Sequence, residues 1–198
     1  MTVTYRDATA ADAEAIAELG RRTFVETFGH LYSPDNLAIF LEGHYATSWE
    51  AVLASGAAVR LAEAQGVPIA YARIDRPSLP FDPGDRPAAE LRQLYVDSAW
   101  HGHGVAVALM DWVLAEARRR GAADLWLSVF TENHRARAFY RRYGFVEVMP
   151  YKFMVGTHAD KDIICCLALD SGPARLASDA AQSPLATDVS HSPLTRDA

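Results

Sequence analysis

Cysteine is scarce in this 198-residue chain, because only Cys165 and Cys166 are present and they are adjacent. Adjacent cysteines rarely bridge, so a disulfide framework is excluded and a reducing cytoplasm is the expected location. The longest purely apolar run, 163–169, is far shorter than the roughly 20 residues that a membrane-spanning helix needs. The chain reaches Arg6 and Asp7 without an apolar segment, so we expect no secretory signal.

Basic residues are also in the minority. Nineteen Lys and Arg stand against twenty-five Asp and Glu, and the formal net charge is −6. An acidic surface repels polyanions, so nucleic acid is not expected as a partner and a small cationic molecule is favoured. Half of the residues are hydrophobic. A chain of this size and composition can bury a core without disulfides or metals.

The composition divides the chain into two parts. From Ser171 onward there is no aromatic residue, and the few apolar residues are scattered among Ser, Ala, Asp and Pro. Such a segment cannot bury enough surface to offset the entropy of ordering the chain. We therefore predict a single folded domain over 1–170 and a disordered C-terminal tail over 171–198.

Helices and strands are mixed along 1–170 without strict alternation, which predicts a mixed α/β or α+β sheet with helices on its faces. Capping signals at Thr9–Asp12, Ser33–Pro34 and Thr47–Glu50 predict three helix starts. Gln65–Gly66 predicts a hairpin turn. Strands are expected at 2–6, 57–64, 68–74, 90–96, 124–130, 145–154 and 161–169, and further helices at 104–120 and 133–143.

A loop with two glycines, Gly102 and Gly104, follows the strand predicted at 90–96 and opens a helix. The first amides of a helix have no partner within it and carry a partial positive charge, and glycine lets a phosphate approach the backbone. Backbone groups of 101–107 are therefore predicted to bind a pyrophosphate-containing ligand. The same pattern also fits a tight turn without a ligand.

Three classes of pyrophosphate ligand compete for this loop. A P-loop needs Gly-Lys-Ser/Thr, which is absent. A dinucleotide fingerprint needs a small residue where Val107 stands and an acidic residue at the far end of the next strand, whereas Asp124 lies at its near end. A nicotinamide oxidoreductase is thus disfavoured, and coenzyme A remains.

A second unit, 129–145, reads VFTENHRARAFYRRYGF and fits the pattern N-x-x-A-x-x-F-Y-x-x-x-G-F. Together with the preceding loop, it resembles the GNAT N-acetyltransferase superfamily. That superfamily's phosphate loop reads Arg/Gln-x-x-Gly-x-Gly/Ala. Gly104 and Ala106 match this pattern, and His101 replaces the usual Arg or Gln. The replacement matters little if backbone amides make the contact and more if a side chain does.

The resemblance spans 3–169 and implies a GNAT-type fold, a mixed and mostly antiparallel sheet flanked by helices and splayed between its fourth and fifth strands. It implies acetyl-CoA as co-substrate, with pantetheine paired to the fourth strand in the manner of an added strand. A backbone N–H near Leu94 or Tyr95 is then expected to stabilise the oxyanion. The coenzyme-binding residues implied are Leu94, Tyr95, Val96, His101, Gly102, His103, Gly104, Val105, Ala106, Val107 and Asn133.

The resemblance also implies the catalytic groups. Tyr140 matches the family's general acid, which protonates the departing thiolate, with a core tyrosine as the alternative. Asn133 would contact the coenzyme, although it can equally serve only as a helix cap. Many relatives place a glutamate base where this chain has Ser128, which cannot act as a base. We therefore name Glu90 as the substitute base, with a solvated strand end as the alternative.

The acceptor is addressed by a narrower resemblance. Segments 23–45 and 151–169 look like bacterial spermidine/spermine N-acetyltransferases, which implies a polyamine or similar small amine. Glu26 and Tyr32 are candidates for amine recognition, and a surface ion pair is the alternative for Glu26.

Two other functions stay open: a CoA-binding sensor or interaction module with little turnover, and a family member that acts on a protein or peptide amine. His101 and His103 lack further ligands at suitable spacing, so no metal is expected. The apolar N-terminal helices are candidates for a homodimer face or for packing onto the sheet.

Overall fold

The computed structural model describes residues 2–44, 48–80 and 84–170, and the tail predicted over 171–198 lies outside the described residues. Seven strands and five α-helices follow one another within them. In chain order these are β1 (Val3–Asp7), α1 (Ala13–Phe28), α2 (Pro34–His44), α3 (Trp49–Ala54), β2 (Ala58–Ala64), β3 (Val67–Asp75), β4 (Ala88–Val96), α4 (Val105–Arg119), β5 (Asp124–Phe130), α5 (His134–Arg142), β6 (Val146–Val155) and β7 (His158–Ala168).

The strands form one sheet in the order β1-β2-β3-β4-β5-β7-β6. All neighbouring pairs are antiparallel except β4 and β5. A parallel pair needs a crossover connection, and α4 supplies it. The arrangement is the mixed, mostly antiparallel sheet flanked by helices that the sequence predicts.

The parallel pair separates along its length. Register pairs run only from Ala88 opposite Asp124 to Glu90 opposite Trp126. Beyond that point β4 stays paired with β3 as far as Val96, and β5 stays paired with β7 as far as Phe130. The two strands therefore splay apart and leave a gap in the middle of the sheet, as predicted between the fourth and fifth strands.

Each face of the sheet carries its own core. On one face α4 buries Leu109, Met110 and Val113, and α5 packs beside it. On the other face α1 buries Ile16 and Leu19, together with α3. Each of these fully buried side chains contributes about 1.5–3 kcal/mol relative to exposure. The two helical layers fix the gap between β4 and β5 from both sides.

Local signals in the sequence set most element boundaries. Gln65 and Gly66 form the predicted hairpin turn, and both have positive φ, 53° and 78°. The third helix start differs from the prediction: Ser48 caps α3, with its Oγ accepting a hydrogen bond from the Ala51 N–H at 3.1 Å. Thr47, the predicted cap, lies outside the described residues.

The last strand is longer than predicted. It begins at His158 rather than at residue 161. Asp160 and Asp162 lie on its buried face, where alternation predicts apolar side chains. The two aspartates therefore disguise the start of the strand, and their burial already points to a role other than solvation.

Candidate active site

The gap between β4 and β5 opens into a cavity with a volume of about 620 Å³. This is within the usual range for small-molecule sites. The loop before α4 lines one part of the cavity, and the acidic face of β7 lines another. Residues of β4, β5, α1 and α5 line the walls between them. One cavity thus joins two chemically different ends.

The loop end is built from backbone. Gly102 and Gly104 have φ of 80° and 79°, a conformation that side chains rarely adopt. No heavy atom lies within 4 Å of the position that a Cβ would take at either glycine. Gly104 is the N-cap of α4 and offers no side-chain cap, so the first amides of the helix remain available. The loop can bind an anion through these amides.

His101 connects this loop to its neighbours. Arg135 Nη1 lies 2.6 Å from His101 Nδ1, and His101 Nε2 lies 3.0 Å from the Val96 carbonyl oxygen. Arginine can only donate, so Nδ1 accepts and Nε2 carries the proton that is donated to Val96. The histidine therefore ties the end of β4 to α5 and brings a guanidinium beside the anion-binding loop. His103, in contrast, packs against Trp100 and does not line the cavity.

Asn133 precedes α5 as its N-cap, and Tyr140 lies within the helix. The Asn133 Oδ1 accepts a hydrogen bond from the Ala136 N–H at 3.1 Å, which confirms its role as N-cap, and the residue also lines the cavity. Tyr140 lines the same cavity and packs its ring against Phe139 and Phe145. Burial, followed by the nearby Tyr95, raises the pKa of the Tyr140 phenol. The phenol therefore keeps its proton at neutral pH and can donate it.

The far end of the cavity is acidic. Tyr32 donates a hydrogen bond to Asp160 Oδ2, and His158 Nε2 lies 3.3 Å from Asp160 Oδ1. Asp162 is 7% exposed and is hydrogen-bonded to Ser128. Burial, followed by the charge of Asp160, raises the pKa of Asp162 to about 7. Burial and the hydrogen bond to Asp160 raise the pKa of Tyr32.

Comparison with known proteins identifies this arrangement. A model of the acetyltransferase (GNAT) family matches residues 14–145. The chain belongs to this family. An uncharacterized N-acetyltransferase of Mycobacterium tuberculosis is 32% identical over 155 residues, which cover 77% of this chain and 95% of the relative. The protein is therefore an acetyl-CoA-dependent N-acetyltransferase.

Solved structures support the GNAT fold. The chain is similar to the PaiA N-acetyltransferase from Thermoplasma acidophilum in complex with coenzyme A, with a TM-score of 0.66 and 17% identity over 83% of this chain and 98% of the other. It is also similar to a ribosomal-protein-alanine N-acetyltransferase from Brucella melitensis, with a TM-score of 0.60 and 25% identity over 83% and 99% of the two chains.

The residues of this GNAT cavity fit acetyl-CoA. The amides at the start of α4 suit its pyrophosphate, and the Arg135 guanidinium adds positive charge beside them. The gap between the strands leaves the β4 backbone at Leu94–Val96 along the cavity wall, where an extended pantetheine can pair with it. Ten of the eleven predicted coenzyme-binding residues line the cavity, and His103 does not.

Two predicted carboxylates of the GNAT site lie elsewhere. Glu90 is buried outside the cavity lining, and its Oε2 accepts hydrogen bonds from the Ser78 N–H at 2.6 Å and the Leu79 N–H at 3.2 Å. This carboxylate fixes the loop before β4, so its position does not support the predicted role as base. Glu26 is exposed on α1, outside the cavity lining, and its Oε2 lies 3.4 Å from Ser98 Oγ. Tyr32 is the predicted acceptor residue that does line the cavity.

The acidic end was missed at the level of sequence, although a signal was present. Asp160, Asp162 and Ile164 stand at alternate positions and so share one face of a strand. Two aspartates on the same face as a core isoleucine indicate buried carboxylates. Gln93 on β4, which lines the same cavity, had no comparable signal, because its neighbours in sequence are a mixture of apolar and charged residues.

A metal site finds no support in the part of the chain that the structure describes. No group of three or more His, Cys, Asp or Glu side chains within it could hold a metal ion. No helix among the described residues is both long and apolar enough to cross a membrane.

Proposed function

We propose that this N-acetyltransferase moves the acetyl group of acetyl-CoA directly to a small primary amine carrying more than one positive charge, with polyamines as the leading acceptors. The observation that carries the proposal is that one cavity is lined both by the Arg135-flanked loop before α4 and by Asp160 and Asp162. The loop suits a pyrophosphate and the two carboxylates suit ammonium groups. Both substrates can therefore occupy the cavity together.

Acceptor binding has an electrostatic basis. Among the described residues, neither Asp160 nor Asp162 forms an ion pair with a lysine or arginine, and the exposed His158 lies 3.3 Å from Asp160. Two carboxylates that share a buried wall repel each other, and a bound ammonium relieves this repulsion. Phe24 and Phe28 line the same end, where aromatic faces favour a cation.

The chemistry uses groups already in place along the cavity. A backbone N–H near Leu94 or Tyr95 stabilises the oxyanion that forms on the thioester carbonyl, a contribution of about 3–4 kcal/mol for a well-aimed donor. Tyr140 protonates the departing thiolate. The transfer is direct, because the two cysteines, which are the strongest nucleophiles, lie on β7 and do not line the cavity. Both are free thiols, which supports the cytoplasmic location that we include in the proposal.

A peptide amine is the second candidate acceptor. It is favoured by the likeness to the ribosomal-protein-alanine N-acetyltransferase from Brucella melitensis. A peptide with an N-terminal alanine presents one ammonium group followed by a neutral backbone. The acidic pair at the cavity end favours an acceptor with more positive charge.

The acceptor is tested with the purified full chain, acetyl-CoA and a panel of amines, with release of the free thiol followed by colour. We expect thiol release to be fastest with spermidine and 1,4-diaminobutane and slower with butylamine, which has the same reach and a single charge. A faster rate with a peptide beginning in alanine supports the second candidate. Coenzyme binding without amine-dependent thiol release refutes both.

The acid is tested by Tyr140→Phe, with Tyr143→Phe as the matched control on the same helix. Tyr143 is buried but does not line the cavity, and its hydroxyl lies 3.4 Å from Asp111 Oδ1. We expect turnover to fall at least about tenfold in Tyr140→Phe, with acetyl-CoA binding retained, because general acid catalysis contributes about 10²–10⁴-fold. Equal turnover in the two variants rejects the assignment.

A further inference from the structure

We propose that Asp162 accepts the proton that the acceptor ammonium loses before attack, and that Asp160 and Gln93 hold the acceptor beside it. This inference rests on the proposed function, because it names the acceptor machinery of the same cavity. Neither the comparisons nor the sequence patterns assign a role to these three residues.

Asp162 has the position that a proton acceptor needs. It lines the cavity together with Tyr140, and it is 7% exposed. On β7 it lies opposite Phe130 of β5 in the strand register, and it is hydrogen-bonded to Ser128 two residues earlier on β5. Ser128 and Phe130 both face the cavity. The carboxylate therefore lines the cavity beside the last residues of β5, the strand that separates from β4.

The groups around Asp162 set its proton affinity. Asp160 faces it from the same strand and carries the contacts with His158 and Tyr32. Tyr32 interacts electrostatically with Asp162 and with Tyr95 of β4, and Tyr151 lies opposite Asp162 in the register of β6. Lys152 and Lys161 are paired with each other in the register one residue on, so they lie on the opposite face. Arg92, Arg135 and Arg142 also line the cavity, but the pKa of Asp162 is raised to about 7 by burial and by the charge of Asp160, against the lowering effect of the Ser128 hydrogen bond. A base with this value is poised for work at neutral pH.

Gln93 supplies an observation that is independent of the aspartates. It is 9% exposed, it lines the cavity, and its side-chain oxygen has no hydrogen-bond partner among the described residues. A buried acceptor without a donor costs about 1–3 kcal/mol. Gln93 lies two residues from Tyr95 on β4 and so shares its face, toward the acidic end. A ligand N–H, such as one from an ammonium or amine, satisfies this oxygen.

The proton balance of the step is complete with these residues. The Asp162 carboxylate takes one proton from the ammonium, and the neutral nitrogen attacks the thioester carbonyl carbon and forms the new C–N bond. The C–S bond then breaks, and the sulfur takes the Tyr140 proton. The second proton shed by the product nitrogen restores the Tyr140 phenol. Asp162 returns its proton to water when the products leave.

The first test replaces the base. In Asp162→Asn we expect kcat/KM for the fastest amine of the panel to fall about 100-fold or more, with the Kd for acetyl-CoA unchanged by calorimetry. In the unmodified enzyme kcat/KM should fall on the acidic side of pH 7, and this acidic limb should disappear in the variant. Unchanged acetyl-CoA binding shows that the variant is folded.

The second test moves the titration without removing the base. Asp160→Asn removes the neighbouring charge that raises the Asp162 pKa, so the acidic limb should shift to lower pH, with a higher KM for the amine. Ser128→Ala removes the hydrogen bond that lowers the Asp162 pKa, so the acidic limb of kcat/KM should shift to higher pH. These two variants also carry the test if Asp162→Asn does not fold.

The outcomes separate this inference from the function on which it rests. If no amine releases thiol from the unmodified enzyme, the proposed function fails and the inference falls with it. If amines are acetylated but the acidic limb stays in place in all three variants, only the inference is overturned. A purely structural role does not predict that the acidic limb moves in opposite directions in Asp160→Asn and Ser128→Ala, because loss of packing would affect both variants in the same direction.

Discussion

Replacing Asp162 by asparagine should make the folded protein more stable in alkaline solution, although it removes a group from the proposed site. The pKa of Asp162 is raised to about 7, first by burial and then by the charge of Asp160. A carboxyl group with a raised pKa in the folded state destabilises the fold when it is ionised. This penalty grows as the pH rises from the unfolded value of 3.8 to about 7, and it is complete above pH 7. Asparagine is neutral throughout and removes it.

The magnitude follows from the size of the shift. A rise from 3.8 to about 7 is about three pKa units, which corresponds to about 4 kcal/mol at 1.36 kcal/mol per unit. Asp162 lines a cavity that opens to water, so solvent screens part of this energy. We therefore expect about 2 kcal/mol of added stability in Asp162→Asn above pH 8. For a domain of this size, that corresponds to a Tm increase of about 4–8 °C.

Urea and thermal unfolding at pH 5, 6.5 and 8.5 measure the effect. The difference between the variant and the unmodified protein should be largest at pH 8.5 and should narrow as the pH falls toward 5. Asp85→Asn is the matched control, because Asp85 is exposed in the loop before β4 and lies outside the cavity lining. It should change stability little at any of these pH values. A difference for Asp162→Asn that is constant with pH, or that is largest at pH 5, would refute the reasoning.

Three further substitutions test the coenzyme end. Gly104→Ala should lower the free energy of unfolding by about 1–2 kcal/mol, because a φ of 79° is strained for any residue with a side chain. The same variant should bind acetyl-CoA more weakly. Thermal unfolding and acetyl-CoA binding that both equal those of the unmodified protein would contradict this prediction. Arg135→Ala should raise the Kd for acetyl-CoA, and the difference in Kd from the unmodified protein should become smaller at high salt. A difference in Kd that does not depend on salt argues against a charge effect. Asn133→Ala should lower the free energy of unfolding by about 1 kcal/mol, because α5 loses its N-cap. Asn133→Asp keeps a capping oxygen, so equal unfolding temperatures for the two variants would reject this prediction.

Most of the fold could be predicted because its signals are local. Helix faces such as that of α4 show in the spacing of Leu109 and Val113, and Gly121 and Gly144 mark helix ends with φ of 75° and 93°. The β5 boundaries, Asp124–Phe130, agree with the prediction. These features depend on residues a few positions apart, so a linear pattern contains them.

The site could be predicted only in part because its two ends differ in origin. The coenzyme end is one loop and one helix start, so the sequence of 101–107 contains it. The acceptor end joins Tyr32, Gln93 and Asp162, which are far apart in the chain and meet only through the order of the strands. Glu90 shows the same limit, since its partners at 78 and 79 depend on how the loop before β4 folds back.

The splayed strands connect the energetics of the fold to its chemistry. Where β4 and β5 separate, the sheet gives up hydrogen bonds between them, and an extended substrate can recover these bonds by pairing with β4. The same opening leaves the side-chain oxygen of Gln93 without a hydrogen-bond partner among the described residues, and Asp160 and Asp162 without an ion pair to a lysine or arginine there, which makes the empty site less stable than a filled sheet. Binding of both substrates relieves both costs. The unfolding temperature should therefore rise more with acetyl-CoA and a non-reactive polyamine analogue, such as a fully N-methylated polyamine, than with acetyl-CoA alone. In Asp160→Asn the rise in unfolding temperature caused by the analogue should become smaller, while the rise caused by acetyl-CoA should persist. An equal loss of both rises would mean that the coenzyme and acceptor parts of the cavity do not act as separate sites.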